Sequence, residues 1–291
     1  MKPSTDKSVE SFRQIRQRRS MSSLSPLLNV MVDAAQKAGR PLVRDFGETE
    51  RLTVSSKGQA GFVSSADIRV EDELVRILSR ARPEFSFVTE ERGAIKGKEA
   101  NGRDTFYIDP IDGTTNFLHG IPDFGVLIAH VADGAVMAGV IYRPMTDETF
   151  YAEKGRGAYL VSPYGTERLR VSALGGLKNA VVGLPAPHGG ENLPLYLRLA
   201  ETLAADRTSI RALGNCSSHM AMVAAGRMEA SAELSYQPWD VAPGIIMVRE
   251  AGGRVMTPEG AEDDATLLSN SKLICCNSDI RDNLAKILKK I

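Results

Sequence analysis

The sequence predicts a layered α/β fold, of the α+β kind, in which sheets and helices alternate. Three observations point there. Helical and strand-like apolar spacings are interleaved along the chain without a strict strand–helix–strand rhythm. Of the 291 residues, 43% are apolar and 25% charged, ordinary for a globular protein with a filled core. No repeat or low-complexity linker interrupts the chain, so its length predicts one large domain or two halves with an extensive shared interface.

Ser25-Pro26 reads as an N-cap with proline at the first helical position, and Leu27, Leu28, Met31, Ala34, Ala35, Ala38 and Leu42 recur at helical spacing. A second helix follows Asp67, carries Val70, Leu74, Ile77 and Leu78 on one face, and stops before Pro83. Residues 85–88 and 105–108 read as short strands. A hairpin runs from Val126 to Val131, turns at Asp133-Gly134 and returns from Val136 to Tyr142. Gly155 and Gly157 mark a tight turn before a strand at 158–161. In the second half, 180–182, 210–213, 228–234, 254–256 and 273–276 read as strands. Helices are expected at 193–204, around 220–225 and at 241–251, and a last one carries Ile280, Leu284, Ile287, Leu288 and Ile291.

Composition removes several function classes. Lys+Arg and Asp+Glu number 36 each, so a whole-surface grip on nucleic acid or anionic membrane is not expected. No uninterrupted apolar run approaches the roughly 18 residues of a membrane span. Three cysteines (Cys216, Cys275 and Cys276), sparse and odd in number, argue against a disulfide framework and for a cytoplasmic location. Residues 1–23 form a basic extension, expected to be flexible. Its first twenty residues hold six basic against two acidic side chains and no apolar signal-peptide core, and Met21 opens the globular-looking part. A solvated tail is the plain reading of that stretch, and an arm on nucleic acid the sharper one. Dinucleotide, Walker A, nucleophile-elbow and zinc motifs are missing, and the histidines (His119, His130, His188 and His219) have no spacing suited to zinc.

Carboxylates stand out instead. Glu90-Glu91 follows one strand, Asp109 and Asp112 bracket Pro110-Ile111 at the end of another, and Asp240 follows Trp239 just before a helix. Strand ends and helix starts are where layered α/β proteins build sites. In 109–116, Asp-Pro-Ile-Asp-Gly-Thr-Thr-Asn, proline stiffens the strand exit and two carboxylates converge. Gly113 allows close backbone approach, and Thr114-Thr115 open a helix whose free amides face an anion. Converging carboxylates beside an anion site call for hard cations, Mg2+ first. Taken singly, each feature is also an ordinary solvated turn, surface pair or N-cap.

Together, 89–91 (Thr-Glu-Glu), 109–117 and 239–244 (Trp-Asp-Val-Ala-Pro-Gly), with the intervening 214–226, resemble the inositol monophosphatase family over residues 24–291. The resemblance implies a five-layer αβαβα sandwich, shared with fructose-1,6-bisphosphatase, and a homodimer. It implies a half at about 24–175 that binds metal and phosphate, and a half at 176–291 that binds substrate and supplies Asp240. It implies two or more Mg2+ per site. Glu90, Asp109 and the Ile111 carbonyl would hold the first, and Asp109, Asp112 and Asp240 the second. Glu90 and Thr114 would be catalytic, orienting the attacking water. The backbone of Gly113, Thr114 and Thr115 would cradle phosphate beside Asp112. Gly214, Asn215, Cys216 and Glu233 would contact the alcohol. The implied activity is lithium-sensitive hydrolysis of inositol monophosphate or a related polyol phosphate.

Some positions depart from the family pattern. Gly61 stands where the family commonly has an aspartate that partners the threonine, Asn215 and Cys216 replace smaller residues, and Lys57-Gly58 lies where the family has a loop over the metals. Fructose-1,6-bisphosphatase, histidinol-phosphate phosphatase and nucleotide phosphatase activities of the same fold remain alternatives. So does a phosphatase-fold module that holds RNA or a protein through the basic extension.

Overall fold

The computed structural model describes residues 24–46, 53–56, 62–187, 190–281, 283, 284 and 287. Gly61, Lys57-Gly58 and the basic extension lie outside the described residues. Ser25 accepts from the Leu28 amide at 3.1 Å and Pro26 opens α1 (Pro26–Gly39), as the Ser-Pro pair predicts. Leu42 does not continue this helix. Pro41 interrupts the run, and Leu42 begins the short α2 (Leu42–Phe46). After the paired strands β1 (Val54–Ser56) and β2 (Phe62–Ser64), α3 spans Ser65–Ala81. It starts ahead of Asp67, because Ser64 is the cap and Asp67 reaches back to the Ser64 amide at 2.8 Å.

An eight-stranded sheet follows. Its strands are β3 (Ser86–Thr89), β4 (Gly93–Ile95), β5 (Asp104–Asp112), β6 (Gly125–Ala132), β7 (Ala135–Arg143), β8 (Glu148–Glu153), β9 (Gly157–Ser162) and β10 (Gly165–Arg168), in the order β10-β9-β8-β7-β6-β5-β3-β4. Only β3 and β5 pair in parallel. The β6–β7 hairpin turns on Asp133 and Gly134, both at positive φ, which matches the twist of the flanking strands. Strand β8 was not expected. Its Thr149–Ala152 is buried on both faces, so it shows no alternation to read. The one-turn helix α4 (Thr114–Leu118) leaves the end of β5.

The second sheet is built of β11 (Val181–Gly183), β12 (Ser209–Arg211), β13 (Ala230–Glu233), β14 (Arg254–Met256) and β15 (Leu273–Cys276), in the order β12-β11-β13-β15-β14. Its helices are α5 (Leu193–Ala205), α6 (Cys216–Ala224), α7 (Pro238–Glu250) and the unexpected one-and-a-half-turn α8 (Asp264–Ser269). Helix α6 starts earlier than its apolar spacing suggests, because Asn215 caps it by accepting from the Ser218 amide at 2.7 Å. Helix α7 starts at Pro238 rather than Val241, with proline again in the first turn. Beyond β15, Arg281, Asn283, Leu284 and Ile287 are helical; Leu288 and Ile291 lie outside the described residues.

Three buried clusters stack these elements into five layers. Leu28 and Met31 of α1 and Leu74 and Leu78 of α3 pack on Phe87, Ile108 and Val140, covering one face of the large sheet. Met220 of α6 and Val241 and Ile245 of α7 fill the space between Leu127, Ile141 and Phe150 of that sheet and Val255, Leu273 and Cys275 of the second. Leu199 and Leu203 of α5, with Ile280 and Leu284, cover the outer face of the second sheet over Val182 and Ile274. Every residue from Val241 to Val248 is buried, as a helix between two sheets requires. A Cβ on Gly139 would stand 2.7 Å from the Cα of Pro243, so glycine is what lets α7 lie this close to β7.

Candidate active site

The site gathers at the end of β5, where α4, α6 and α7 also begin. Asp109 pairs with Leu127 and Asp112 with Gly125, so β5 carries one more residue than β6 over this interval. In a regular strand residues three apart face opposite sides; the bulge turns both carboxylates toward one side. The 109–112 segment is therefore a bulged strand rather than the turn expected after Ile108. Pro110, which cannot donate to the ladder, sits at the irregularity. The Ile111 amide donates to Oδ1 of Asp109 at 2.9 Å and fixes that side chain.

Glu90 follows β3, the parallel neighbour of β5, and its amide bonds the Ile108 carbonyl. Its side chain shares a hydrogen bond with that of Asp109. Asp240 lies in the first turn of α7, where Oδ2 accepts from the Gln237 amide at 2.8 Å. Oδ2 of Asp112 accepts from the Ser217 amide at 2.8 Å, so the first turn of α6 steadies this carboxylate.

These groups repel one another. Burial pushes the Asp109 carboxyl well above the usual range, and the charges of Glu90, Asp112 and Asp240 add to it. Asp240 is raised in the same way, by burial and then by Asp112. Burial raises Asp112 to about 7 against the lowering effect of Ser217. Among the described residues, no Lys, Arg or His forms an ion pair with Asp109, Asp112 or Asp240. Among the described residues, no three His, Cys, Asp or Glu side chains stand together closely enough to hold a metal ion as they are placed.

Gly113 stands at φ +95, a left-handed conformation, and a Cβ there would press on the Asp123 carbonyl at 3.1 Å. It turns the chain into α4, whose first-turn amides at Thr114 and Thr115 have no acceptor within the helix. The Thr114 hydroxyl lies 3.0 Å from the Ile111 carbonyl and 3.2 Å from Oδ1 of Asp67. Asp67 is wholly buried, and its Oδ2 takes both the amide and the hydroxyl of Ser64 at 2.8 and 2.6 Å. Burial, the largest influence on it, holds its carboxyl above the usual range. The sequence reading named Gly61 as a lost partner of the threonine; in the structure Asp67 makes that contact. A Ser-x-x-Asp capping box directly behind a strand was the signal that could have found it.

A family model described as "Inositol monophosphatase family" matches residues 23–291. The chain belongs to the inositol monophosphatase family. An inositol-1-monophosphatase of Mesorhizobium japonicum is 44% identical over 270 residues, covering 91% of this chain and 97% of the relative. The crystal structure of the extragenic suppressor protein suhB of Bartonella henselae matches with a TM-score of 0.85 at 44% identity, covering 91% of this chain and 99% of that one. The Thermotoga maritima IMPase matches with a TM-score of 0.77 at 31% identity, covering 94% and 97%. The layered α/β architecture is that of the inositol monophosphatase type.

The other candidate residues lie at the start of α6, where Gly214 and Asn215 lead into Cys216, and at the end of β13, where Glu233 stands. Gly214 stands at φ +89, and a Cβ there would come within 2.8 Å of the Asn116 amide. Besides capping α6, the Asn215 side chain donates to the Asp123 carbonyl at 3.0 Å, so its polar atoms are already engaged. The Cys216 thiol is buried and pushed up, by burial first and by the charges of Glu233, Asp240 and Asp112 after it. Glu233 ends β13 with no exposed side-chain surface and pairs with His219 of α6. Its charge acts on both Asp112 and Asp240, which puts it beside the carboxylate cluster. Burial pushes the His219 pKa down and Glu233 pushes it up, the net direction being upward. The Leu213 amide nevertheless donates to Nε2 at 3.0 Å, which a doubly protonated ring would forbid, so the ring is neutral. Neither Asp67 nor His219 was singled out from the sequence.

Proposed function

We propose that this chain is a Mg2+-dependent phosphomonoesterase that hydrolyses inositol monophosphate or a closely related polyol phosphate. The observation that carries the reading is the cluster of Glu90, Asp109, Asp112 and Asp240. These are hard oxygen donors, three of them raised in pKa by burial and mutual charge, with no cationic side chain paired to Asp109, Asp112 or Asp240 among the described residues. Such a donor set fits two or more Mg2+ ions. Glu90, Asp109 and the Ile111 carbonyl would hold one, and Asp109, Asp112 and Asp240 another. Bound there, Mg2+ would supply the charge that acidifies a water and stabilises the leaving alkoxide.

The chain's own groups do the rest. The Thr114 hydroxyl, held by Asp67 and Ile111, orients the attacking water together with Glu90. The backbone of Gly113, Thr114 and Thr115 cradles the phosphate oxygens at the start of α4. Glu233, Gly214, Asn215 and Cys216 face the alcohol. On this reading 24–175 handles metal and phosphate, 176–291 handles the alcohol and brings Asp240, and the protein works as a homodimer in the cytoplasm. Among the described residues no helix is long and apolar enough to cross a membrane.

The test is phosphate release from inositol 1-phosphate, fructose 1,6-bisphosphate, histidinol phosphate and a nucleoside 3′,5′-bisphosphate, with Mg2+ and with chelator. Inositol 1-phosphate should turn over fastest, and only with Mg2+. Equal release with chelator, or none from any ester, would overturn the reading. The basic residues at 1–20 favour a second reading, a phosphatase-fold module that holds RNA or a protein through that stretch. Deletion of 1–20 should then remove steeply salt-dependent RNA binding and spare turnover.

A further inference from the structure

His219 and Glu233 are both fully buried, and their pairing has a direction. Because Nε2 accepts the Leu213 N–H at 3.0 Å, the ring proton is on Nδ1. Nδ1 lies 3.1 Å from Oε1 of Glu233 and donates to it. The other carboxylate oxygen, Oε2, is buried with no hydrogen-bond partner among the described residues. The Cys216 thiol hydrogen-bonds this carboxylate, but an S–H is a weak donor, and Oε2 keeps the capacity to accept a stronger bond. A buried carboxylate oxygen without a donor is costly, so the geometry favours a donor arriving from outside the chain.

The imidazole is fitted to its place. A Cβ on Gly183 would stand 2.9 Å from ring atoms Cγ and Cδ2, so β11 has room for the ring only as glycine. The Leu213 peptide that sets the tautomer also accepts, at its carbonyl, from Nδ2 of Asn116 at 2.7 Å. Asn116 belongs to α4, the helix that carries Thr114. A continuous chain of bonds therefore runs from Glu233 through His219 and Leu213 to the turn at Thr114.

We propose that His219 is a positioning residue for substrate choice. Its Nδ1–H pins Oε1 of Glu233 and leaves Oε2 to accept a hydroxyl of the leaving alcohol. Its Nε2 fixes that acceptor relative to the turn that cradles phosphate. The ligand class is a phosphomonoester whose alcohol carries a free hydroxyl near the ester; an alcohol without one leaves Oε2 unmatched and is selected against. The inference rests on the phosphatase reading above.

The experiment uses the full chain with Mg2+ and compares KM for inositol 1-phosphate with KM for p-nitrophenyl phosphate. His219→Phe keeps the ring volume and loses the donor. His219→Asn places an amide N–H where Nδ1 stands and keeps it. The KM ratio should rise about tenfold in His219→Phe and return most of the way in His219→Asn. On the wild type, 15N NMR of the ring should find Nδ1 protonated and Nε2 bare, a result that does not depend on how the variants fold. A protonated Nε2, a KM ratio unchanged in His219→Phe, or no recovery in His219→Asn would overturn the inference while the wild type still turns over. A wild type that hydrolyses neither ester would overturn the phosphatase reading, and this one with it.

Discussion

Asp67→Asn separates the contact with Thr114 from the helix cap at one position. In the wild type Oδ2 of Asp67 takes two bonds from Ser64, at 2.8 and 2.6 Å, and Oδ1 faces the Thr114 hydroxyl at 3.2 Å. An asparagine must turn its carbonyl to the two Ser64 donors, so its NH2 faces Thr114. The hydroxyl can then give its proton only to the Ile111 carbonyl, and a lone pair that would serve the water is taken by the amide. Replacing a charged hydrogen bond by a mismatched one costs about 1.5–3 kcal/mol. If the cost falls on the transition state, kcat drops about ten- to a hundredfold. The cap itself survives, and the melting temperature should move by only a few degrees. Ser64→Ala is the converse. It removes the hydroxyl that bonds Asp67 and caps the Ala66 amide, costs about 1 kcal/mol of stability, and should leave kcat much closer to wild type. The measurements are kcat and KM on inositol 1-phosphate at saturating Mg2+, with calorimetry on the same samples. An Asp67→Asn protein with a lowered melting temperature and wild-type kcat would reduce Asp67 to a cap.

Asp109→Asn should abolish turnover and weaken Mg2+ binding in titration calorimetry, since Asp109 is the carboxylate assigned to both ions; near-full Mg2+-dependent activity would defeat the two-ion assignment. Because Asp109, Asp112 and Asp240 have folded-state pKa values above the ordinary range, the metal-free native state holds more protons than the unfolded one from about pH 4 to 7 or beyond. Metal-free stability should therefore fall as pH rises through that window, and saturating Mg2+ should flatten the slope; melting curves from pH 5 to 8 that are parallel with and without Mg2+ would count against the cluster. Glu233→Gln should raise KM for inositol 1-phosphate about ten- to a hundredfold and affect p-nitrophenyl phosphate far less, a difference that equal losses on both esters would refute.

How much of this was legible in the sequence depended on whether the controlling interaction is local. Ser25-Pro26, the Asp133-Gly134 hairpin turn and the strands at 254–256 and 273–276 depend on a few adjacent residues, and they stand where their residues predicted them. The starts of α3, α6 and α7 were misjudged because apolar spacing begins only where a helix meets the core. Ser64, Asn215 and Pro238 start those helices through polar or conformational effects outside that spacing. Strand β8 carried no alternation because both its faces are covered. The inward turn of Asp109 and Asp112 depends on an extra residue opposite β6, and register against a partner strand is not written in either strand alone.

Asp67 and His219 were missed for a different reason. Each has a complete local account, one as the N3 residue of a capping box and the other as a lone histidine on a buried helix. A local account gives no cause to look for a second contact. The second contact appears only when the elements meet, as α3 brings Asp67 to Thr114 and α6 brings His219 to Glu233. Both residues are wholly buried, and both use one polar atom to hold a group at the site and the others to fix themselves. The carboxylates assigned to Mg2+ lie just after β3, on β5 and in the first turn of α7, whereas the side chains that orient their partners come from helices packed on the sheets. A substitution at either position should therefore change catalytic or specificity constants more than metal affinity, which the Asp67 and His219 variants can measure on one preparation.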